Sequence, residues 1–204
     1  MLLRRYLSKS QKIIKSLKLI ALLSLLEIAI FFIIELNVGS IASYFMIGAI
    51  YVGVVVLLFR SNLIIKKLIP WRFVCLGIFV GVLLLLFQLL VSRITNLHGE
   101  TALNDSQTTF NLFLPTAVII APIIEEHIFR LYLPAVFNNK ILGFVASSVL
   151  FALFHSSHDL TSSSVYMVMA LAFSYLYIKS NNIWTSIIAH SLLNIMIVIW
   201  NVLV

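Results

Sequence analysis

Along the chain, apolar residues come in long blocks separated by short polar stretches. The blocks fall near 19 to 36, 41 to 59, 73 to 91, 112 to 134, 141 to 155, 165 to 178 and 183 to 204. Most approach the ~20 residues that carry a helix across a bilayer, whereas the fifth and sixth are short for a full crossing. None alternates apolar with polar at every second position as a barrel strand does, and backbone groups in hydrocarbon must be satisfied internally. The pattern predicts an all-α, polytopic transmembrane helical bundle of about six to seven spans.

Composition excludes a water-soluble globule. Apolar residues make up 62% of the chain and charged residues 10%, against about 25% charged in a soluble domain. The 14 Lys and Arg outnumber the 7 Asp and Glu, a balance that in a soluble chain would suggest nucleic acid. Here its placement points to membrane lipids instead, and no nucleic-acid partner is expected. With a cytoplasmic N-terminus, Arg4 to Lys18, Arg60, Lys66, Lys67, Arg72, Lys140 and Lys179 all fall inside and only Arg93 outside, as the positive-inside rule requires. The expectation is a multi-pass protein of the cell membrane.

Three regions follow. Residues 1–18 form a basic N-terminus, cytoplasmic or interfacial, with Leu2, Leu3, Tyr6, Ile13, Ile14 and Leu17 set among cations in a manner suited to anionic lipid. Residues 19–111 carry the N-terminal transmembrane helices and a polar external loop over 92–111; residues 112–204 hold the clusters described next. The block from Leu19 to Leu36 is longer than a signal-peptide core and no cleavage pattern closes it, so a retained first span is expected. Trp71, Trp184 and Tyr132 near inner ends, with Tyr44 and Trp200 near outer ends, fit aromatic belts. Cys75 reads as a small apolar packer without a disulfide partner. His98, Glu100 and Asp105 fit no metal motif, and His158 and Asp159 read as solvated.

Charges inside apolar blocks are costly, by about 2.5 to 3.5 kcal/mol each on insertion scales, and so mark an internal pair or a functional site. In the fourth block Glu126 and Arg130 are four apart, acid before base, which is the favoured order for a helical ion pair. Glu125, about 100° round the helix, is worse placed for that arginine. One carboxylate is thereby neutralised and its neighbour left to exchange a proton, a route to separate roles for paired acids. His127 faces elsewhere, as a pore-lining or interhelical group. In the fifth block Phe151 lies four before His155, so its ring can pack beneath the imidazole, a natural proton acceptor near neutral pH. In the last block His190 and Asn194 share one face and can donate hydrogen bonds to one oxyanion, or serve as interhelical glue. Glu27 is a further acid in the first span without a local cation; Glu35 lies near enough to a span end to reach the headgroups.

Read in order, Glu-Glu-x-x-x-Arg, Phe-x-x-x-His and His-x-x-x-Asn resemble the CPBP family, the CAAX-protease and bacteriocin-processing intramembrane proteases also called the Abi family. The resemblance covers about residues 112 to 196 and makes 112–204 a CPBP-like catalytic transmembrane core. It implies a glutamate-dependent peptidase in which Glu125 and His155 match the water-activating pair, His190 and Asn194 the oxyanion-binding pair, and Glu126 and Arg130 the supporting acid and arginine. Family members were once labelled metalloproteases, and Glu125, His155 and His190 could bind zinc. No cofactor is expected, because the oxyanion role already occupies His190 and Asn194. The implied substrate is a membrane-associated peptide or lipidated protein, in bacteriocin processing or self-immunity. A non-catalytic immunity or scaffolding protein is an alternative, as is a small proton-coupled transporter component using Glu125, Glu126 and Glu27 as a relay.

One expectation conflicts with this pairing. Upright helices at 1.5 Å per residue would leave Glu125 and His155 roughly 10 Å apart in depth. Pro115 and Pro122 can bend the fourth span, and the short fifth can be tilted or displaced.

Overall fold

The computed structural model describes residues 8–35, 41–60, 67–95, 114–155 and 160–203. Each apolar block becomes a helix, because few polar side chains compete for its backbone groups and bonding within the segment satisfies them locally. The helices are α1 (Lys9–Glu35), α2 (Ile41–Arg60), α3 (Trp71–Thr95), α5 (Lys140–His155), α6 (Leu160–Ser180) and α7 (Ile183–Leu203). The fourth, α4, covers 116–132 in three consecutive segments: Thr116–Ile120 in π register, Ala121–Glu126 in α register, and His127–Tyr132 again in π register. A short 3₁₀ turn, Pro134–Val136, follows it. The described residues contain no strand. By length and composition α3, α6 and the stretch Ile183–Trp200 of α7 can each cross a membrane; Phe45–Arg60 and α5 are shorter apolar helices.

Helix α4 is the centre of the packing. Its Ile120, Ile124, Ile128, Phe129 and Tyr132 join Leu19, Leu26 and Ile30 of α1, Ile47, Val54 and Leu58 of α2, and Phe151 of α5 in one buried cluster. A second cluster joins Leu84 of α3, Met169, Phe173 and Leu176 of α6, and Ala189 and Leu193 of α7. Close approach of α3 to α7 depends on two glycines. A Cβ on Gly77 would lie 2.8 Å from the Thr185 carbonyl oxygen, and one on Gly81 would lie 3.0 Å from that of Ala189. Small residues at such a crossing let two apolar helices pack backbone to backbone where lipid offers no competing hydrophobic drive.

Asparagines set the helix junctions. Asn139 caps α5, its Oδ1 accepting from the Ile141 and Leu142 amides at 2.9 and 3.2 Å. Asn181 ends α6 with φ of 50°, a conformation asparagine tolerates better than most residues. Asn182 caps α7 by accepting from the Trp184 amide at 3.1 Å, while its Nδ2 donates to the Leu68 carbonyl just before α3 at 2.9 Å. The start of α7 is thus tied to the start of α3.

Several sequence expectations change. The basic stretch from Lys9 is continuous with the first apolar block in α1, with no break at residue 18, and the Lys15 ammonium lies 5.7 Å from the Tyr132 ring centroid. Tyr132 is buried and Trp184 packs against the core, so neither stands in an outward aromatic belt. Trp71 and Trp200 do face outward. Cys75 is exposed and does not pack in the core. Residues 96–113 and 156–159, with His98, Glu100, Asp105, His158 and Asp159, lie outside the described residues, as do the side chains of Glu27, Glu35 and Tyr44.

Candidate active site

The site begins with the irregular backbone of α4. In its first segment the Ala121 amide bonds to the Thr116 carbonyl, five residues back. In the same register the Ala117 carbonyl would look to residue 122, which is proline and has no N–H. That carbonyl therefore lacks its helical donor. It receives one from another helix, the Asn194 amide Nδ2 of α7, at 2.8 Å. After the six residues that carry both glutamates, the helix widens a second time, and the Leu133 amide bonds five back to Ile128 at 2.8 Å. Wide turns inside α-helices are frequent at functional sites, and here one lies on each side of Glu125 and Glu126.

Glu126 is fully buried and held from two directions. Its Oε2 accepts from Nε of Arg130 at 3.2 Å and its Oε1 from Nδ1 of His190 at 3.1 Å. Arg130 is also fully buried, and its Nη1 and Nη2 find no acceptor among the described residues. The guanidinium instead lies with its carbon 4.9 Å from the Phe151 ring centroid and 5.9 Å from that of Phe173. Aromatic faces of this kind favour a desolvated cation.

The same two rings order the histidines. Phe151 stacks on His155 at 4.1 Å with 16° between planes, and Phe173 stacks on His190 at 4.8 Å with 18°. Each imidazole is fixed at Nδ1 as well. His155 Nδ1 lies 2.9 Å from the Phe151 carbonyl oxygen and His190 Nδ1 lies against Glu126. A carbonyl and a carboxylate only accept, so both Nδ1 atoms carry a proton, and each ring turns its Nε2 toward Glu125. Its Oε2 is 3.4 Å from Nε2 of His155 and 3.8 Å from Nε2 of His190.

Glu125, Glu126, Arg130, His155, His190 and Asn194 are therefore brought together by α4, α5 and α7. Glu126 is the buried partner of Arg130, as the helical spacing predicted, and Glu125 is the partly accessible acid. The depth conflict is resolved: α5 has 16 residues, about 24 Å at the usual rise and short of a full crossing, so His155 ends it at the level of Glu125. His127 is the interhelical group, not a pore-lining one. It is completely buried, its Nδ1 is 2.7 Å from the Ile123 carbonyl oxygen and its ring meets Trp184 edge-on, so it lines no open path.

Two site residues had no signature in the sequence. Phe173 lies under His190, and Tyr166 meets His155 at 5.6 Å between ring centroids. They are seven apart on α6, two turns along one face, but nothing distinguishes them from the other aromatic residues of that helix until α5 and α7 are placed beside it. Among the described residues no group of three or more His, Cys, Asp or Glu side chains has an arrangement that would hold a metal ion.

Comparison with known proteins finds likenesses to membrane peptidases and CAAX proteases. Residues 107–196 match the family described as Type II CAAX prenyl endopeptidase Rce1-like. The chain is 35% identical over 105 residues to a protein named putative membrane peptidase YdiL of Bacillus subtilis, covering 50% of this chain and 42% of that one. It is 29% identical over 155 residues to the membrane-embedded CAAX protease MroQ of Staphylococcus aureus, covering 68% and 60%. To the UPF0177 protein YvdC of Lactococcus lactis it is 32% identical over 182 residues, covering 83% and 64%. It thus spans less than half the length of the Bacillus relative. No solved structure matches the chain. With the match over 107–196 and the apolar helices that carry the glutamates and histidines, the chain is a membrane protein that resembles, over those residues, the CPBP family of CAAX-protease-like proteins.

Proposed function

We propose that this chain is an intramembrane endopeptidase of the glutamate type, hydrolysing a peptide bond of a membrane-associated peptide or lipidated protein. The observation that carries the reading is the convergence of two imidazole Nε2 atoms on the one accessible carboxylate, Oε2 of Glu125. A carboxylate with an imidazole 3.4 Å away is placed to take a proton from a water molecule beside the pair, where a base is required.

In the proposed reaction Glu125, assisted by His155, takes a proton from this water as its oxygen bonds to the peptide carbonyl carbon. The carbonyl becomes a tetrahedral oxyanion. The C–N bond then breaks, and the proton held by Glu125 and His155 passes to the leaving amine. Glu126 holds His190 in one tautomer, and Arg130 neutralises Glu126 so that two adjacent carboxylates are tolerated. Asn194 keeps one amide N–H beyond the one bonded to Ala117, available to the oxyanion. His190 donates through Nε2 only as an imidazolium, because its neutral ring gives its one N–H to Glu126.

The chemistry so described needs no metal. Glu125, His155 and His190 are of the types zinc takes as ligands but are not arranged to hold it, and chelation separates the two routes. The setting we propose is bacteriocin processing or self-immunity. The test is cleavage of an internally quenched peptide library by the purified protein in lipid vesicles, wild type against Glu125→Gln. Cleavage lost in the variant supports the reading; equal cleavage by both overturns it.

A further inference from the structure

Three of the site's N–H groups are already committed. The neutral His190 ring commits its N–H to Glu126, and one N–H of the Asn194 amide is committed to the Ala117 carbonyl. His155 likewise commits its N–H to the Phe151 carbonyl. Asn194 keeps one amide N–H for an oxygen gaining negative charge, and such an oxygen is held better by more than one donor.

Tyr166 can supply a second. It lies near the start of α6, its ring 5.6 Å from the His155 ring and tilted 43° to it. Its phenol is within electrostatic reach of the Glu125 carboxylate. The body of the ring packs against both buried clusters, which fixes where the hydroxyl can go. That hydroxyl makes no hydrogen bond to a described residue, unlike that of Tyr51, which is paired with the Thr116 hydroxyl at 2.8 Å. A phenol O–H beside His155, with no acceptor among the described residues, is placed to meet an acceptor on the substrate.

We propose that Tyr166 is a catalytic residue, donating its O–H to the substrate carbonyl oxygen as that oxygen becomes an oxyanion. No proton is transferred in this contact. The water proton still goes to Glu125 and His155 and on to the amine, and the phenol stays protonated throughout. The proposal rests on the peptidase reading above.

The experiment uses the full chain in vesicles of phosphatidylethanolamine and phosphatidylglycerol with the internally quenched peptide library, comparing wild type, Tyr166→Phe, Tyr166→Ala and Glu125→Gln. Tyr166→Phe keeps the ring that packs on His155 and removes only the donor. It should lower kcat by about 10²- to 10³-fold, the range for loss of one oxyanion donor, with KM and the unfolding temperature close to wild type. Tyr166→Ala should lose stability as well. If Tyr166→Phe restores the kcat that Tyr166→Ala loses, the ring acts by packing alone and the proposal is overturned. Wild-type cleavage by Glu125→Gln would instead overturn the peptidase reading itself, whatever Tyr166 does.

Discussion

Asn194 of α7 donates to the Ala117 carbonyl of α4 at 2.8 Å, and that carbonyl needs an outside donor because residue 122 is proline. The contact joins the helix carrying His190 to the helix carrying both glutamates. Removing it by Asn194→Ala leaves a carbonyl unsatisfied, at a cost of about 1 to 3 kcal/mol. Unfolding in detergent should show that loss. Pro122→Ala restores an N–H to the helix, so the double variant should lose less than Asn194→Ala does alone. Strict additivity of the two substitutions would break the link between them.

Glu126→Gln should act mainly on stability. It leaves Arg130 as a fully buried cation without its counter-charge, a change that typically costs about 3 to 5 kcal/mol. It also replaces the carboxylate that holds His190. Membrane-inserted yield and unfolding temperature should both fall. Normal yield together with lost activity would place Glu126 in the chemistry instead.

Much of this site was legible before the fold was known, and the reason is local. Glu126 with Arg130, and Phe151 with His155, are each four apart on one helix, so 3.6-residue geometry alone pairs them. The seven apolar blocks correspond to the seven helices for the same reason. Contacts set by how helices approach were not legible. The wide turns around Glu125, the tether from Asn194 to Ala117, and Phe173 and Tyr166 beside the histidines all depend on α5, α6 and α7 lying against α4. The expected mismatch in depth between Glu125 and His155 arose from treating α4 and α5 as upright rods of full span; α5, at 16 residues, is shorter than that.

Phe173 should be a positioning residue for His190. Phe173→Leu keeps apolar bulk, so stability should fall by less than about 1.5 kcal/mol. Loss of the stacked ring is worth about 0.5 to 1.5 kcal/mol, or roughly a two- to tenfold drop in kcat, with recovery in Phe173→Tyr. An unchanged kcat in Phe173→Leu would show that the stacking does not orient the imidazole.

Chelation tests the metal-free chemistry. Peptide cleavage should be unchanged after prolonged dialysis against 1,10-phenanthroline or EDTA. Activity lost on dialysis and restored by zinc would assign Glu125, His155 and His190 to a metal.

The most direct measurement of the central claim is the turnover number for one cleaved peptide in lipid, for wild type, Glu125→Gln and His155→Ala, each normalised to folded, inserted protein. The account predicts that both variants insert normally and lose about 10²- to 10⁴-fold in kcat, the usual worth of a positioned general base. Wild-type turnover in either variant would contradict it.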